Sequence, residues 1–285
     1  MLVVTASHMG MCFGVEDALD IARSVERPEA VTIYGELVHN SEVQQELASR
    51  GFRALPERGR RLPDTPEVMI TAHGISGREQ ARLESAGKKL LDTTCPLVRR
   101  VHKAALRLDR LGYLVLVVGR PGHVEVEGIV GDLDHYVVVP TPEAVETYAP
   151  ARLGVVAQTT TPPREFRAVV RAIRSRNPGK EIQVADTVCR PTRDRQDALV
   201  VLLHRVEAMV VVGGRNSNNT RQLGLLAAEK GKPWLHVERP EELDPDWFKP
   251  YRIVGLTAGT STPQSTVDAV YRTLLAIARR ARLTA

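Results

Sequence analysis

The sequence predicts an α/β protein built from three equivalent units, each with a parallel sheet, related by pseudo-threefold symmetry. Apolar content is 43% over 285 residues, which is enough for a large core. β-Branched apolar runs alternate with helix-patterned segments along the chain, as in folds with parallel sheets covered by helices. The same strand, loop and helix pattern occurs three times, with one cysteine in each copy.

Each copy begins with a short strand, a cysteine and a helix. "DTTCPLVRR" (92–100) and "DTVCRPTRD" (186–194) share the pattern Asp-Thr-x-Cys, and the first copy has "HMGMCFGVEDALDIA" around Cys12. The segments that follow, "VEDALDIARSV", "LVRRVHKAALRL" and "RDRQDALVVLL", are patterned as helices. We therefore expect Cys12, Cys95 and Cys189 to occupy equivalent places.

The next element of each copy is a β-branched run that ends in glycine. Gly35, Gly119 and Gly213 follow the cysteines by 23, 24 and 24 residues. A polar loop then opens a second helix, and a third strand ends in a polar turn before a further helix. Right-handed crossovers place the carboxyl ends of all strands at one edge of each sheet, where α/β proteins bind ligands.

The pattern predicts three modules, at residues 1–84, 85–180 and 181–285, that together form one catalytic unit. The strand before each cysteine could pair with either neighbouring module. Threefold symmetry could bring nine loops and all three cysteines to one central cavity.

Composition and charge argue against several classes of protein. The net charge is +5, but arginine and lysine are dispersed on helix faces near acids, as in "REQARLE" and "RPTRDRQD". Aromatic residues make up only 4%, so we expect no nucleic-acid partner. No apolar run reaches 18 residues, and the opening "MLVVTASHMG" is typical of a strand, so no membrane span or signal peptide is expected. The cytoplasm is the expected location.

Three converging cysteines predict a metal centre. Zinc with an open position would suit three thiolates, and so would a cubane iron–sulfur cluster that keeps one iron without a thiolate. No C-x-x-C is present, so zinc ribbons and ferredoxin-type spacing are excluded.

The loops after the second and third strands predict an anion site. Hydroxyls, amides, imidazoles and helix N-termini suit phosphate groups. The chain has no Walker A motif and no G-x-G-x-x-G, so a nucleotide is not indicated. As an alternative, several of these side chains could simply cap helices. The candidates after the second strands are His39, Asn40, His123, Glu125, Asn216, Ser217, Asn218 and Asn219, and those after the third strands are His73, Gln158, Thr159, Thr160, Thr257, Thr260 and Ser261.

Glu125 is the loop carboxylate best placed to act as a general acid. The alternative is an acidic residue in the first turn of a helix, favoured by the helix dipole. Glu127 lies two residues further on and would point elsewhere on a helix.

These motifs, in this order, resemble the 4-hydroxy-3-methylbut-2-enyl diphosphate reductase (LytB, or IspH) family along nearly the full length. The motifs that carry the resemblance are "GMCFGV", "VHN", "TAHG", "DTTCPLV", "GHVEVEG", "AQTT", "DTVC…T…RQ", "RNSNN" and "TAGTSTP". Asn218 stands where the family usually has serine, and it can still donate hydrogen bonds.

The resemblance implies a trefoil of three α/β units around a [4Fe–4S] cluster, with Cys12, Cys95 and Cys189 as ligands. It implies that Glu125 donates a proton and that Thr159 contacts the substrate oxygen. It also implies reductive removal of the allylic hydroxyl of an isoprenoid diphosphate, with electrons from a ferredoxin or flavodoxin. The implied diphosphate-binding positions are His39, His73, His123, Ser217, Asn219 and Ser261.

Three other functions stay open at this point. One is a related [4Fe–4S] enzyme with another phosphorylated substrate, and another is a zinc hydrolase or lyase that uses the same cysteines. The third is a non-catalytic iron–sulfur sensor or electron carrier, which would need neither phosphate loops nor Glu125.

Overall fold

The computed structural model describes residues 1–283, with side chains up to residue 280. By compactness this part of the chain divides into two units. The first unit contains Met1–Phe13, His39–Val43 and the chain from Arg190 onward, and the second contains Gly14–Val38 and Gln44–Cys189.

Strands and helices alternate along the described residues, as the sequence predicts. The strands are β1 (Leu2–Thr5), β2 (Val31–Ile33), β3 (Arg53–Ala54), β4 (Glu67–Ile70), β5 (Lys89–Asp92), β6 (Leu114–Val118), β7 (Tyr136–Val139), β8 (Arg152–Ala157), β9 (Glu181–Val184), β10 (Ala208–Val212), β11 (Trp234–Val237) and β12 (Ile253–Ala258). The α-helices are α1 (Phe13–Arg23), α2 (Ser41–Ser49), α3 (Gly77–Ser85), α4 (Pro96–Arg110), α5 (Val124–Val130), α6 (Pro163–Arg176), α7 (Arg190–Leu203), α8 (Asn218–Glu229) and α9 (Gln264–Leu283).

The strands form three sheets with one topology. Their orders are β3-β2-β4-β5, β7-β6-β8-β9 and β11-β10-β12-β1, and each strand pair in them is parallel. The last sheet lies in the first unit and the other two lie in the second. This repeated order confirms the predicted α/β fold with three equivalent sheets.

The pairing of the strand before each cysteine, which the sequence left open, follows one rule. This strand is always an edge strand beside the third strand of the preceding copy: β5 beside β4, β9 beside β8, and β1 beside β12. The N-terminal strand therefore completes the sheet of the last copy. The module limits at 1–84, 85–180 and 181–285 stay predictions.

Side-chain alternation along the central strands explains why these sheets are covered on both faces. In the first unit, Val210 and Val212 of β10 pack in the cluster that contains Val267, Val270 and Leu274 of α9. Met209 and Val211, one residue out of phase, pack with side chains of α7 and α8.

The second unit repeats this arrangement in the sheet that contains β6. Leu116 and Val118 pack with α6, whereas Val115 and Val117 pack with α4 and α5. The central strands are therefore buried, and their carboxyl ends carry the loops in which the candidate residues lie.

The fourth strand of each sheet (β3, β7 and β11) has no counterpart in the sequence-based pattern. These strands lie at the outer edge, and β3 has only two residues, both exposed. β3 is too short to give a signal and β11 (WLHV) includes a histidine, whereas β7 (YVVV) is an apolar run that the repeated pattern did not include. Among the described helices, none is both long enough and apolar enough to span a bilayer.

Candidate metal and anion site

The three cysteines occupy equivalent positions at the carboxyl edges of their sheets. Each backbone N–H donates to the carbonyl oxygen two residues beyond the third strand of a sheet. These hydrogen bonds run from Cys12 to Thr260 (3.0 Å), from Cys95 to Ala72 (3.1 Å) and from Cys189 to Thr159 (3.0 Å). The predicted equivalence of the cysteines within the repeat is confirmed at the level of the backbone.

The Asp-Thr pair before two of the cysteines shapes the turn that presents the thiol. Asp92 Oδ1 accepts the Thr94 N–H at 2.9 Å, which closes an Asx turn. The Thr93 hydroxyl donates to the carbonyl of Ile70, the last residue of β4, at 2.5 Å. Asp186 and Thr187 repeat both contacts before Cys189, with Val188 N–H and Ala157 O as partners.

Each cysteine also stands directly before a helix. Cys95 is the N-cap of α4, with proline in its first turn, while α1 begins one residue after Cys12 and α7 one residue after Cys189. The N–H groups at a helix start favour negative charge. These positions therefore suit thiolates that bind a metal.

Gly14, at the start of α1, lies against the Cys95 thiol. A Cβ atom built on Gly14 would lie 2.4 Å from Cys95 Sγ, too close for any side chain. The three cysteines are partly buried, as metal-ligating thiols require. A thiolate at each of these turns, with space kept at Cys95 Sγ, is of the kind that binds iron–sulfur clusters or zinc.

Glu125 and Thr159 form a buried pair in the second unit. The Thr159 backbone N–H donates to Glu125 Oε1 at 2.6 Å, and the Thr159 hydroxyl donates to Oε2 at 2.9 Å. Glu125 is 2% exposed and Thr159 is 5% exposed. Both carboxylate oxygens are thereby fixed, and the acid has one orientation.

Burial raises the pKa of Glu125 from 4.5 to about 7, because desolvation disfavours the charged form. The two hydrogen bonds from Thr159 oppose this shift, and desolvation outweighs them. A carboxyl group with a pKa near neutrality can give up and regain a proton at physiological pH. Glu127, two residues on, is exposed, as the helical spacing predicts.

His123 and His73 lie beside this pair. Their ring centroids are 5.8 Å apart and the rings are nearly perpendicular, at 87°. His123 Nδ1 accepts the Glu125 N–H at 3.1 Å, so a neutral His123 ring carries its proton on Nε2. Nε2 can then donate to an anionic ligand.

Four predicted residues of the first unit lie together around the turn after β12. The Ser261 hydroxyl donates to the His39 carbonyl at 3.1 Å, and Asn219 Oδ1 accepts the Thr260 N–H at 3.0 Å. Thr260 is also the residue whose carbonyl accepts the Cys12 N–H. Asn219 Nδ2 is buried and makes no hydrogen bond within the described structure. A buried amide N–H without a partner is costly, and it suits a ligand that accepts hydrogen bonds.

Helix α8 begins at the predicted asparagines. Ser217 is its N-cap and accepts the Thr220 N–H at 3.3 Å, so the capping interpretation is correct for this hydroxyl. Asn218 and Asn219 follow in the first turn, and both are buried. Gly213, just after β10, has φ +145°, and a Cβ there would meet the Thr220 and Thr262 hydroxyls at 2.6 Å. Glycine is needed at this turn.

Sequence reasoning gave no individual role to two polar residues that the structure buries, Arg195 and Gln158. The segment "RPTRDRQD" was interpreted as a solvated helix face, which is wrong for Arg195, a residue only 6% exposed. The side chain of Gln158 is fully buried, and its Oε1 accepts the Arg120 N–H at 3.0 Å. The available signals were the "RQ" that follows Cys189 on α7 and the Gln of "AQTT", since both belong to the motifs of the family resemblance.

Comparisons with known proteins agree with one another. The model of the family described as LytB protein matches residues 3–275. The 4-hydroxy-3-methylbut-2-enyl diphosphate reductase of Geotalea daltonii is 38% identical, over 98% of this chain and 99% of its own length. The reductase of the same name from Aquifex aeolicus is 36% identical, over 94% of each chain.

Two solved structures are also similar. The E-1-hydroxy-2-methyl-but-2-enyl-4-diphosphate reductase from Plasmodium falciparum matches with a TM-score of 0.88 at 24% identity, over 96% of this chain and 87% of its own. An (E)-4-hydroxy-3-methyl-but-2-enyl diphosphate reductase, described as the terminal enzyme of the non-mevalonate pathway, has a TM-score of 0.65 and 34% identity. That match covers 97% of this chain and all of the other.

Proposed function

The chain belongs to the LytB family, and we propose that it is an oxidoreductase that removes the allylic hydroxyl of (E)-4-hydroxy-3-methylbut-2-enyl diphosphate. The carbon–oxygen bond breaks, the oxygen leaves as water, and the carbon skeleton takes up two electrons and a proton. The products are isopentenyl diphosphate and dimethylallyl diphosphate. A second proton is consumed in forming the water. This is the last step of the methylerythritol phosphate route to isoprenoids.

Iron–sulfur chemistry is the feature of the family on which this reaction depends, and we assign a [4Fe–4S] cluster to Cys12, Cys95 and Cys189. When bound, such a cluster supplies electrons and, at the iron without a thiolate, a Lewis acid for the leaving oxygen. The equivalent turns, the helix starts behind each thiol and the space that Gly14 leaves at Cys95 Sγ support this assignment.

Diphosphate binding is assigned to groups that donate hydrogen bonds. His123 Nε2 and Asn219 Nδ2 are the best supported of them, since the first is oriented by Glu125 and the second is a buried donor. Neutral donors can bind a diphosphate, and the net charge of +5 favours an anionic substrate. The full set is His39, His73, His123, Ser217, Asn218, Asn219 and Ser261.

Glu125 is the proposed proton donor to the leaving hydroxyl. With a pKa of about 7, a large share of Glu125 side chains are protonated at neutral pH. Thr159 holds the carboxyl group through its N–H and hydroxyl, and its hydroxyl is also the proposed contact for the substrate oxygen.

The observation that carries this proposal is the position of Thr159 between the acid and a cysteine. Its carbonyl accepts the Cys189 N–H, while its N–H and hydroxyl hold Glu125. One residue thus fixes a proposed proton donor and a proposed metal ligand, as a proton-coupled reduction requires. An iron–sulfur sensor or electron carrier would have no use for this pair.

The proposed electron donor is a ferredoxin or flavodoxin. A cytoplasmic location is also proposed, since these carriers operate there. The partners proposed are thus the isoprenoid diphosphate and a small redox protein.

The test is anaerobic purification, an absorption spectrum, and iron and sulfide assays on one sample. The hydroxylated allylic diphosphate is then added with reduced methyl viologen, and oxidation of the dye is followed. We expect a brown protein that oxidises the dye only with substrate. A brown protein that ignores this substrate would indicate another phosphorylated substrate or a sensor. A colourless protein with stoichiometric zinc would refute the cluster and indicate a hydrolase or lyase.

A further inference from the structure

The loop before Cys12 lacks the device that holds the other two cysteine loops. Before Cys95 and Cys189, an Asp-Thr pair closes the turn and ties it to the neighbouring strand. The corresponding positions before Cys12 are Met9 and Gly10, which have no side-chain oxygen to do this. The first loop must be held by other means if its cysteine is to be presented in the same way.

Arg195 of α7 makes the contacts that this loop needs. Its Nε and Nη2 donate to the Gly10 carbonyl at 3.1 and 2.6 Å, and Nη2 also donates to the Met11 carbonyl at 3.0 Å. Nη1 donates to the Pro191 carbonyl of its own helix at 3.0 Å. The carbonyl carbon of Met11 is bonded to the backbone nitrogen of Cys12. Arg195 therefore holds the peptide bond that leads into the cysteine.

The other side of the loop is tied to the sheet. The Gly10 N–H donates to the carbonyl of Ala258, the last residue of β12, at 3.2 Å, and the Cys12 N–H donates to Thr260. Backbone N–H groups therefore face β12 and the turn after it, while the Gly10 and Met11 carbonyls face Arg195. The segment is held from both sides by one strand end and one side chain.

We infer that Arg195 is a positioning residue for Cys12, which does for the first cysteine loop what the Asp-Thr pair does for the other two. It also places a permanent positive charge beside this loop, whereas the other loops carry Asp92 and Asp186. The inference rests on the proposed function only in taking Cys12 as a metal ligand.

Two consequences follow from the chemistry of the guanidinium group. Its planar fork can serve two adjacent carbonyls at once, which a lysine ammonium on a flexible stem cannot do in the same geometry. Its charge favours any bound group that gains an electron, so its loss should lower the reduction potential of a cluster at Cys12. Geometry and charge can therefore be separated by comparing Arg195→Lys with Arg195→Gln.

The first measurement is amide hydrogen exchange on the full chain, both as purified without oxygen and after metal is removed by chelation. Exchange at Gly10 and Cys12 should become about tenfold faster, or more, in both variants, since charge-assisted hydrogen bonds to the loop are lost. The amides of Cys95 and Cys189 are internal controls and should not change, because their loops keep the Asp-Thr pairs. Arg205→Gln, at an exposed arginine just beyond α7, is the matched control variant.

The second measurement is a redox titration of the cluster followed by its absorbance. The potential should fall in Arg195→Gln and stay nearer the wild-type value in Arg195→Lys, because lysine keeps the charge. Unchanged exchange at Gly10 and Cys12 in both variants would overturn the positioning role, and equal potentials in all three proteins would overturn the role of the charge. If Arg195→Gln does not fold, exchange in Arg195→Lys still decides the positioning role. Exchange in metal-free protein does not depend on iron, so failure of this inference is distinguishable from failure of the proposed function.

Discussion

Replacement of Glu125 by glutamine should remove the proton donor and leave its surroundings in place. The two oxygens of Glu125 accept from the Thr159 N–H and hydroxyl. Glutamine can keep its oxygen on the N–H, and the Thr159 hydroxyl can accept from the new amide, since a hydroxyl both donates and accepts. The variant should therefore fold, retain iron and bind substrate.

The loss of activity follows from the general-acid role. Proton transfer by a positioned group typically contributes about 10²–10⁴-fold to rate, so kcat should fall by a factor in that range. As the proposed acid, Glu125 is active in its protonated form, and burial raises its pKa to about 7. Turnover should thus be highest below pH 7 and fall above it, with roughly a tenth of the acid still protonated at pH 8.

The same pKa predicts that the stability of the wild type also falls as the pH rises. The pKa of Glu125 is raised on folding, from 4.5 to about 7, so the folded state binds the proton more tightly than the unfolded state. The stability from this group is fully present below pH 4.5 and is lost as the pH rises through 7. The free energy of unfolding from this group differs by roughly 3 kcal/mol between pH values well below 4.5 and pH values well above 7. Glutamine does not titrate, so the variant should gain stability relative to the wild type as the pH rises from 6 to 8.5.

The assay has two parts, and Glu127→Gln is the matched control at an exposed carboxylate on the same helix. Dye-linked turnover is measured from pH 5.5 to 8.5, and denaturant unfolding is measured at pH 6 and 8.5. Wild-type turnover in Glu125→Gln would remove Glu125 from the acid role. A stability difference from the wild type that does not change between the two pH values would refute the raised pKa, whatever the activity.

Three further predictions test the metal and anion sites. Replacement of any one of Cys12, Cys95 and Cys189 by serine should remove most of the iron, as measured by iron and sulfide assay. Full iron retention in all three variants would refute the cluster assignment. Gly14→Ala places a Cβ 2.4 Å from the Cys95 Sγ, so it should lower iron content, and normal iron would show that this contact relaxes freely. Asn219→Asp keeps the acceptor for Thr260 but replaces the buried donor with a charge. KM for the diphosphate should rise about tenfold or more with iron unchanged, and an unaltered KM would exclude Asn219 from binding.

The sequence predicted the fold well because the repeat lies in buried strands. The runs at β6, β8, β10 and β12 are apolar and β-branched, and the structure buries nearly every side chain in them. β3 escaped prediction because it has only two residues, whereas β7 and β11 were left out because the repeat was built on the strands that lead to a cysteine, a glycine or a polar turn. The partner of β1 could not be found from local pattern either, since β12 lies about 250 residues further along the chain.

Within the site, the candidates found from sequence were those that follow a strand in each repeat. Glu125, Thr159, His73 and His123 were found in this way, and the structure places them together. Arg195 lies in the "RQ" of a family motif, but its role could not be inferred, because its partners are backbone carbonyls 185 residues away and carbonyls leave no mark in a sequence. A neighbouring acid made it look like an exposed helix residue, whereas its burial comes entirely from tertiary contacts.

The three cysteine turns share a backbone contact but differ in the side chains that hold them. The backbone contact is the same in all three, an N–H to the carbonyl two residues past a strand, so the position of the thiol is set by the sheet. The means of holding the turn differ: Asp-Thr pairs hold the loops before Cys95 and Cys189, and Arg195 contacts the loop before Cys12. Asp92 and Asp186 close their turns locally, and the threonine after each bonds a strand 23 or 30 residues earlier, whereas the first loop depends on Arg195, 185 residues further along the chain. Folding of the first loop should therefore require α7 to be in place, and iron should bind at Cys12 only once the C-terminal part of the chain has folded.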